Sequence, residues 1–241
     1  MFHREFKIAS TQVNASRQLK LASLLQLFQD VAIDGAAYIG CGTDVTFPRG
    51  LLWVVTRMEI DIKRMPAYEE TIDIYTYPGM TMGFFYPRHF FVKDASGEII
   101  IRGASIWALI HESDRHLEMK NQFPDIPGTS MEGEIGRPAK LKANIDAPLL
   151  ETRKIRYSDV DLNRHLNNTK YIEIIEDLLP GSEHERRVLT HVAINYDREL
   201  HEGDILKLHG DTGMDFFVTG ISGSIPVFEI ALQYKPWMQN Q

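Results

Sequence analysis

The same order of elements occurs twice along the 241 residues, and this internal duplication is the feature that most limits the fold. Each half contains a strand-like segment, one helical segment and four further strand-like segments. The apolar positions of the two helical segments are Leu21, Leu24, Leu25, Phe28, Val31 and Ala32 in the first half and Tyr171, Ile174, Ile175 and Leu178 in the second. A helix followed by consecutive antiparallel strands can bury its apolar face in a curved sheet. We therefore predict an α+β architecture built from two such units.

The two predicted units are separated by a segment of different character. Residues 119–150 are rich in proline, glycine and charged side chains and show no sustained periodicity, which is typical of a linker. The sequence therefore predicts an N-terminal unit at residues 1–118, a linker at 119–150 and a C-terminal unit at 151–241. Because the duplication already supplies two units, a monomer could be complete, and a homodimer is the alternative.

Composition excludes several classes of function. The net charge of -7 argues against a nucleic-acid partner and against a polybasic membrane-binding surface. No run approaches the roughly 18 apolar residues of a membrane span, and residues 1–10 lack the apolar core of a signal peptide. The single cysteine, Cys41, excludes an internal disulfide. We expect a cytoplasmic protein without membrane insertion.

Residues 157–168, YSDVDLNRHLNN, concentrate short polar side chains immediately before the second helical segment. Asp159, Asp161 and Asn163 reproduce the start of a calcium-binding EF-hand loop. Arg164 then stands where that loop needs glycine, and Lys170 stands where it needs a bidentate glutamate. A transition metal is also not expected, because His165 is accompanied nearby by Asp161 alone as a second possible ligand.

Helix capping is the simplest interpretation of the asparagines, since Asn167 or Asn168 could accept a hydrogen bond from the first turn of the helix. Capping does not explain Asp161, Asn163 and His165, which occupy alternate positions. On an extended segment these three side chains would point to one side.

The first half offers a comparison for the three alternate residues. Its corresponding positions hold no ionisable group and are Asn14, Ser16 and Gln18. An amide that stabilises an oxyanion, a histidine that transfers a proton and a carboxylate that orients one of them suit carbonyl chemistry. No G-x-S-x-G motif is present. Attack by an activated water, with a second carboxylate from a neighbouring strand as base, is therefore the predicted reaction type.

Two stretches also resemble a known family. SDVDLNRHLNNTKY at residues 158–171 and INYDREL at residues 194–200 are similar to the two signature segments of the acyl–acyl carrier protein thioesterases of plants and bacteria. The resemblance extends over nearly the whole chain, including the duplication. It implies a double hot-dog fold, in which each unit is a long helix wrapped by an antiparallel sheet. It also implies hydrolysis of fatty acyl–acyl carrier protein to free fatty acid and holo-carrier protein.

Position by position, the resemblance places the family's catalytic groups on Asp161, Asn163, His165 and Glu199. Plant members often have a cysteine after that glutamate, whereas this chain has Leu200, so a cysteine nucleophile is excluded. We hypothesise that Glu199, directly or through His165, activates water, that Asn163 and a helix-start N–H polarise the carbonyl, and that Asp161 orients a neighbour. No cofactor or metal is expected, because phosphopantetheine arrives on the substrate.

The resemblance assigns the N-terminal unit to the acyl chain, and the apolar side chains offered for its pocket are Leu21, Leu24, Leu25, Phe28, Trp53, Phe84, Phe85 and Trp107. Acyl carrier protein is acidic, so it would need a basic patch, for which the candidates are Arg137, Lys140, Lys142, Arg153, Lys154 and Arg156. An acyl-CoA thioesterase on the same fold and a non-catalytic acyl-binding hot-dog protein are the alternatives.

Overall fold

A computed structural model describes residues 1–119, 126–161 and 163–237. The chain divides into two compact units, Met1–Ala139 and Lys140–Gln241. The division falls inside the predicted linker, of which residues 120–125 lie outside the described residues. Among the described helices, none combines the length and apolar character that a membrane crossing requires.

The N-terminal unit contains one long helix and a five-stranded antiparallel sheet. Its elements are β1 (Phe2–Lys7), α1 (Leu21–Tyr38), α2 (Thr43–Thr46), β2 (Leu51–Ile62), β3 (Thr71–Pro78), β4 (Phe85–Lys93) and β5 (Ile99–His111). The strands lie in the order β1-β3-β4-β5-β2, and each neighbouring pair is antiparallel. The order of elements agrees with the prediction for this half.

Helix α1 buries its apolar face against this sheet. The six predicted apolar positions are all at most 5% exposed. The Phe28 ring stacks on Phe90 of β4 with ring centroids 4.5 Å apart. Gly103 of β5 makes room for that ring, because a Cβ there would lie 2.8 Å from Phe28 Cε2. Burial of a side chain such as Phe28 stabilises the unit by roughly 1.5–3 kcal/mol.

The C-terminal unit repeats the arrangement. Its elements are β6 (Leu149–Lys154), α3 (Asn168–Glu176), α4 (Gly181–His184), β7 (Arg187–Tyr196), β8 (Ile205–Asp211), β9 (Asp215–Ser222) and β10 (Ile225–Pro236), with strand order β7-β10-β9-β8-β6. Tyr171 of α3 packs edge-on against Tyr196 of β7 and Phe228 of β10. Each unit is thus a helix covered by an antiparallel sheet, which confirms the predicted α+β, hot-dog architecture.

One strand prediction in this unit is wrong in its second half. The pattern of residues 151–161, ETRKIRYSDVD, predicts a strand, but β6 ends at Lys154 and residues Tyr157–Asp159 form a 3-10 turn. The Asp159 carboxylate accepts a hydrogen bond from the Arg156 backbone N–H at 2.8 Å and closes that turn. Aspartate competes with strand pairing in this way because its short side chain reaches nearby backbone donors.

Candidate active site

The predicted site residues Asp161, Asn163 and His165 lie in a tight turn rather than on an extended segment. Asp161 Oδ1 accepts hydrogen bonds from the backbone N–H groups of Asn163 at 2.8 Å and His165 at 3.4 Å. The Asp161 N–H in turn donates to the His165 carbonyl at 2.9 Å, and Arg164 has a left-handed φ of 63°. The expectation that the alternate side chains share one side of a strand is therefore wrong, because the backbone folds back between them.

The N-terminal unit contains the same turn with different chemistry. Asn14 Oδ1 accepts from the backbone N–H groups of Ser16 at 3.0 Å and Gln18 at 3.1 Å. Arg17, the counterpart of Arg164, has a φ of 61°. An amide oxygen thus makes in one unit the backbone contacts that a carboxylate makes in the other. The turn is a property of the duplicated fold. The imidazole of His165 is not, because the N-terminal turn has Gln18 at that position.

Glu199 reaches this turn from the segment that follows β7. The Leu166 N–H donates to the Leu200 carbonyl at 2.7 Å, which joins that segment to the turn. As a result, His165 Nε2 lies 3.3 Å from Glu199 Oε2, with the two side chains 13% and 36% exposed. A histidine and a carboxylate at this separation can exchange or share a proton while both remain accessible to a substrate.

The equivalent backbone bond in the N-terminal unit identifies the counterpart of Glu199. There the Leu19 N–H donates to the Pro66 carbonyl at 2.8 Å. The residue before Pro66 is Met65, so Met65 stands where the C-terminal unit has Glu199. Gln18 and Met65 cannot transfer protons near neutral pH, so of these two turns the one in the C-terminal unit carries the histidine–carboxylate pair.

His201 is a third group of the site that sequence reasoning missed. Its ring lies edge-on to the His165 ring with centroids 4.9 Å apart, and its backbone N–H donates to Asp204 Oδ2 at 2.8 Å. Possible ligand atoms of His165, Glu199 and His201 all lie within 4.8 Å of one another, so these three could hold a metal ion. The available signal was the spacing of Glu199 and His201, since residues two apart on an extended chain share a side.

The start of α3 borders the site and is capped as predicted. Asn167 Oδ1 accepts a hydrogen bond from the Thr169 N–H at 2.9 Å, which confirms Asn167 as the capping residue. That N–H is therefore already satisfied, and it is not the helix-start donor expected to polarise a carbonyl. Asn163 is exposed, so its amide can approach a substrate. Burial, together with the carboxylates of the site, raises the pKa of Tyr171, which stays protonated.

A separate apolar pocket lies within the N-terminal unit. About 510 Å³ of space free of protein atoms lies along it, a volume that includes open solvent, and about 50 Å³ of it can hold the centre of a water-sized molecule. Its lining residues are Ala32, Ile33, Ala36, Cys41, Trp53, Pro78, Gly79, Thr81, Tyr86, Pro87, Arg88, Trp107 and Ile126. Trp53 and Trp107 thus line the pocket, as predicted. Helix α1 contributes Ala32, Ile33 and Ala36, while its predicted residues Leu21 to Phe28 belong to the buried core.

The fold and this geometry define the class of the protein. It is a duplicated hot-dog protein in which one unit carries a histidine–carboxylate pair and the other carries an apolar pocket.

Family models identify the chain within that class. Residues 1–123 match the acyl-ACP thioesterase N-terminal domain, and residues 142–225 match the acyl-ACP thioesterase C-terminal domain. The chain therefore belongs to the acyl-ACP thioesterase family, which confirms the resemblance seen in the sequence.

Two curated relatives are plant proteins. The chain is 26% identical to a chloroplastic acyl-[acyl-carrier-protein] hydrolase, FATB3, of Cuphea viscosissima, with 86% of this chain and 53% of the relative covered. It is 27% identical to a chloroplastic palmitoyl-acyl carrier protein thioesterase of Arabidopsis thaliana, with 93% and 58% covered. The chain thus spans about half the length of the curated relatives it matches.

Solved structures share the fold over nearly the whole chain. An acyl-ACP thioesterase from Bacteroides thetaiotaomicron superposes with a TM-score of 0.86 at 24% identity and covers 97% of both chains. A 12:0-ACP thioesterase from Umbellularia californica superposes with a TM-score of 0.82 at 24% identity, covering 98% of this chain and 97% of that chain. The duplicated architecture is therefore that of these proteins.

Proposed function

We propose that this protein hydrolyses the thioester of a fatty acyl–acyl carrier protein, releasing a free fatty acid and the thiol of the carrier. The observation that carries the proposal is the 3.3 Å approach of His165 to Glu199 in one unit, against Gln18 and Met65 in the other. A structural requirement of the fold would apply to both copies. A histidine–carboxylate pair that is present in one copy of the turn, and absent from the other, is what a catalytic role would require.

In the proposed mechanism, Glu199 removes a proton from water as the water oxygen attacks the thioester carbonyl carbon. His165 donates its Nε2–H to Glu199 and so holds the carboxylate in position. The exposed amide of Asn163 donates a hydrogen bond to the carbonyl oxygen as negative charge develops on it. The carbon–sulfur bond then breaks, and the proton held by Glu199 passes to the departing thiolate. Asp161 positions Asn163 and His165 through their backbone N–H groups.

Within this proposal, the acyl chain occupies the apolar pocket of the N-terminal unit. Its lining is mostly apolar, and each methylene transferred from water to such a site contributes about 0.8 kcal/mol. Ala36→Leu reduces the space beside α1. We expect this variant to lose more activity on long acyl chains than on short ones. Equal losses of activity on long and short chains would show that residues outside this pocket determine the chain-length preference.

The proposed carrier is acyl carrier protein, the substrate named for the relatives from Cuphea and Arabidopsis. The C-terminal unit exposes several cations that an acidic carrier could contact, which are Lys140, Lys142, Lys154 and Arg156. Arg153 is engaged by Asp177 at 3.4 Å, and Arg137 is exposed in the N-terminal unit. Reversal of Lys142 and Lys154 to glutamate should raise KM for carrier-protein esters and leave KM for CoA esters nearly unchanged.

The decisive experiment is hydrolysis of a C8 to C18 acyl–acyl carrier protein series by the wild type, His165→Ala and Glu199→Ala. We expect chain-length-dependent release of free acid that falls by about 10²–10⁴-fold in both variants. Matched CoA esters assayed in parallel test the alternative carrier. If the wild type binds the acyl carrier proteins but releases no acid, the site is a binding site and the proposed reaction is wrong.

A further inference from the structure

The N-terminal pocket contains a buried cation that the proposed reaction does not use. Arg88 of β4 is only 8% exposed and lines the pocket. Within the described ranges its guanidinium has one hydrogen bond, from Nη1 to Thr76 Oγ1 at 3.2 Å. A guanidinium carries five N–H donors, and buried charges are normally paired. Most of the donor capacity of Arg88 is therefore available to whatever enters the pocket.

The surrounding structure makes room for this cation. A Cβ at Gly35 of α1 would lie 2.9 Å from Arg88 Nη1 and 2.8 Å from Thr76 Cγ2. Glycine within a helix costs about 1 kcal/mol relative to alanine. Glycine, a weak helix former, thus stands in α1 at the position that contacts the Arg88 guanidinium.

No charge within the described pocket lining neutralises Arg88. The lining contains no aspartate or glutamate, and Cys41 is the ionisable lining group that acts electrostatically on Arg88. Burial raises the pKa of the Cys41 thiol, which is therefore neutral at physiological pH. Burial also lowers the pKa of Arg88 to about 10, so that the guanidinium is still charged near neutral pH. The described pocket is an apolar cavity with one uncompensated positive charge.

From this geometry we infer that the pocket of the N-terminal unit binds an alkyl chain that bears a carboxylate, with the carboxylate paired to Arg88. The apolar lining residues Trp53, Trp107 and Ile126 accommodate the chain. A carboxylate supplies the two acceptor oxygens that match the guanidinium fork. A neutral hydroxyl has one acceptor oxygen for the guanidinium N–H groups, and it leaves the positive charge of Arg88 uncompensated.

Such a ligand could come from two sources. A free fatty acid carries this carboxylate, and so does an acyl chain with a second carboxylate at its far end. The identification of the source rests on the proposed function, since either molecule would be a product or substrate of that reaction. Binding itself does not depend on it and can be measured without turnover.

Binding is tested with decanoate and decanol, which share a chain and differ in charge. Trp53 and Trp107 line the pocket and provide a fluorescence signal. At pH 8 we expect the wild type to bind decanoate about tenfold or more tightly than decanol, because hydrogen bonds to charged groups are the strong ones. In Arg88→Met this preference should disappear, while decanol binding is retained.

The control variant is Arg4→Met, which removes an arginine from the surface of the same unit, where it pairs with Asp34. This variant should keep the preference for decanoate. Equal binding of acid and alcohol by the wild type would overturn the inference, and so would an unchanged preference in Arg88→Met. If Arg88→Met does not fold, the wild-type comparison still decides.

Hydrolysis separates the two sources. Dodecanoyl and 11-carboxyundecanoyl esters of acyl carrier protein have equal chain lengths and differ at the far end. A preference for the carboxylated ester that is lost in Arg88→Met identifies the acyl chain as the source. Inhibition by decanoate without that preference identifies the free fatty acid. Absence of all hydrolysis would refute the proposed function and leave the binding result intact.

Discussion

His165 Nε2 lies 3.3 Å from Glu199 Oε2, whereas the same two positions of the N-terminal unit hold Gln18 and Met65. If the two side chains act as one catalytic unit, removal of either one already abolishes the contribution of both. We expect the double variant His165→Ala/Glu199→Ala to lose no more than about tenfold in kcat beyond either single variant. Single-turnover rates on one acyl–acyl carrier protein would measure this. Losses that multiply would mean that the two groups act independently.

The backbone role of Asp161 can be separated from its charge. Asn14 makes the equivalent contacts in the N-terminal unit, so an amide oxygen suffices for the turn. We expect Asp161→Asn to keep the free energy of unfolding within about 0.5 kcal/mol, and Asp161→Ala to lose about 1–2 kcal/mol. Asn14→Ala is the matched control and should lose a similar amount. Urea unfolding measures all three, and a large loss in Asp161→Asn would contradict this role.

The repeated secondary structure could be predicted from the sequence because it depends on local periodicity. All six predicted apolar positions of α1 are buried, for example. The turn that contains Asp161, Asn163 and His165 could not, because a left-handed φ at Arg164 is rare for a residue with a side chain. The burial of Arg88 was also not predictable, since arginine is seldom inside a protein. Both exceptions concern residues at or beside the candidate sites.

Zinc should inhibit the proposed hydrolysis through His165, Glu199 and His201. These side chains can supply two imidazole nitrogens and a carboxylate, and metal binding would occupy the His165–Glu199 pair on which the proposed reaction depends. We expect His201→Gln to weaken Zn²⁺ inhibition by about tenfold or more. His116→Gln, an exposed histidine of the N-terminal unit, is the control and should leave it unchanged. Equal inhibition of the wild type and His201→Gln would exclude His201 as a ligand.

The close approach of Gly35 to Arg88 has a stability consequence. Gly35→Ala improves helix propensity but places a methyl group 2.9 Å from the guanidinium and 2.8 Å from Thr76 Cγ2. We expect a net destabilisation of about 1–3 kcal/mol, as for overpacked cores. In the Arg88→Met background the more flexible, uncharged side chain can move aside, so the cost should be smaller. A thermal-unfolding double-mutant cycle measures the coupling between the two positions. Purely additive effects would show that the contact with Arg88 does not cause the destabilisation in Gly35→Ala.

Glu229 gives the C-terminal unit a pH-dependent stability. This side chain is 1% exposed, and burial together with the Asp197 carboxylate raises its pKa to about 7, against the opposing effects of Asn195 and Lys140. Between the ordinary glutamate pKa and about 7, the folded state holds more protons than the unfolded state. The free energy of unfolding therefore falls as pH rises through this window and then levels off.

We expect Glu229→Gln to remove this slope and to be more stable than the wild type at pH 8 by on the order of 1–3 kcal/mol. The glutamine can still accept the hydrogen bond that Asn195 Nδ2 donates to Glu229 Oε2 at 3.2 Å. Urea unfolding at pH 5, 6, 7 and 8 measures the slope, with Glu185→Gln as an exposed control from the same unit. Parallel pH curves for Glu229→Gln and the wild type would show that Glu229 is ionised in the folded protein throughout, and that its burial is compensated by Lys140 and Asn195.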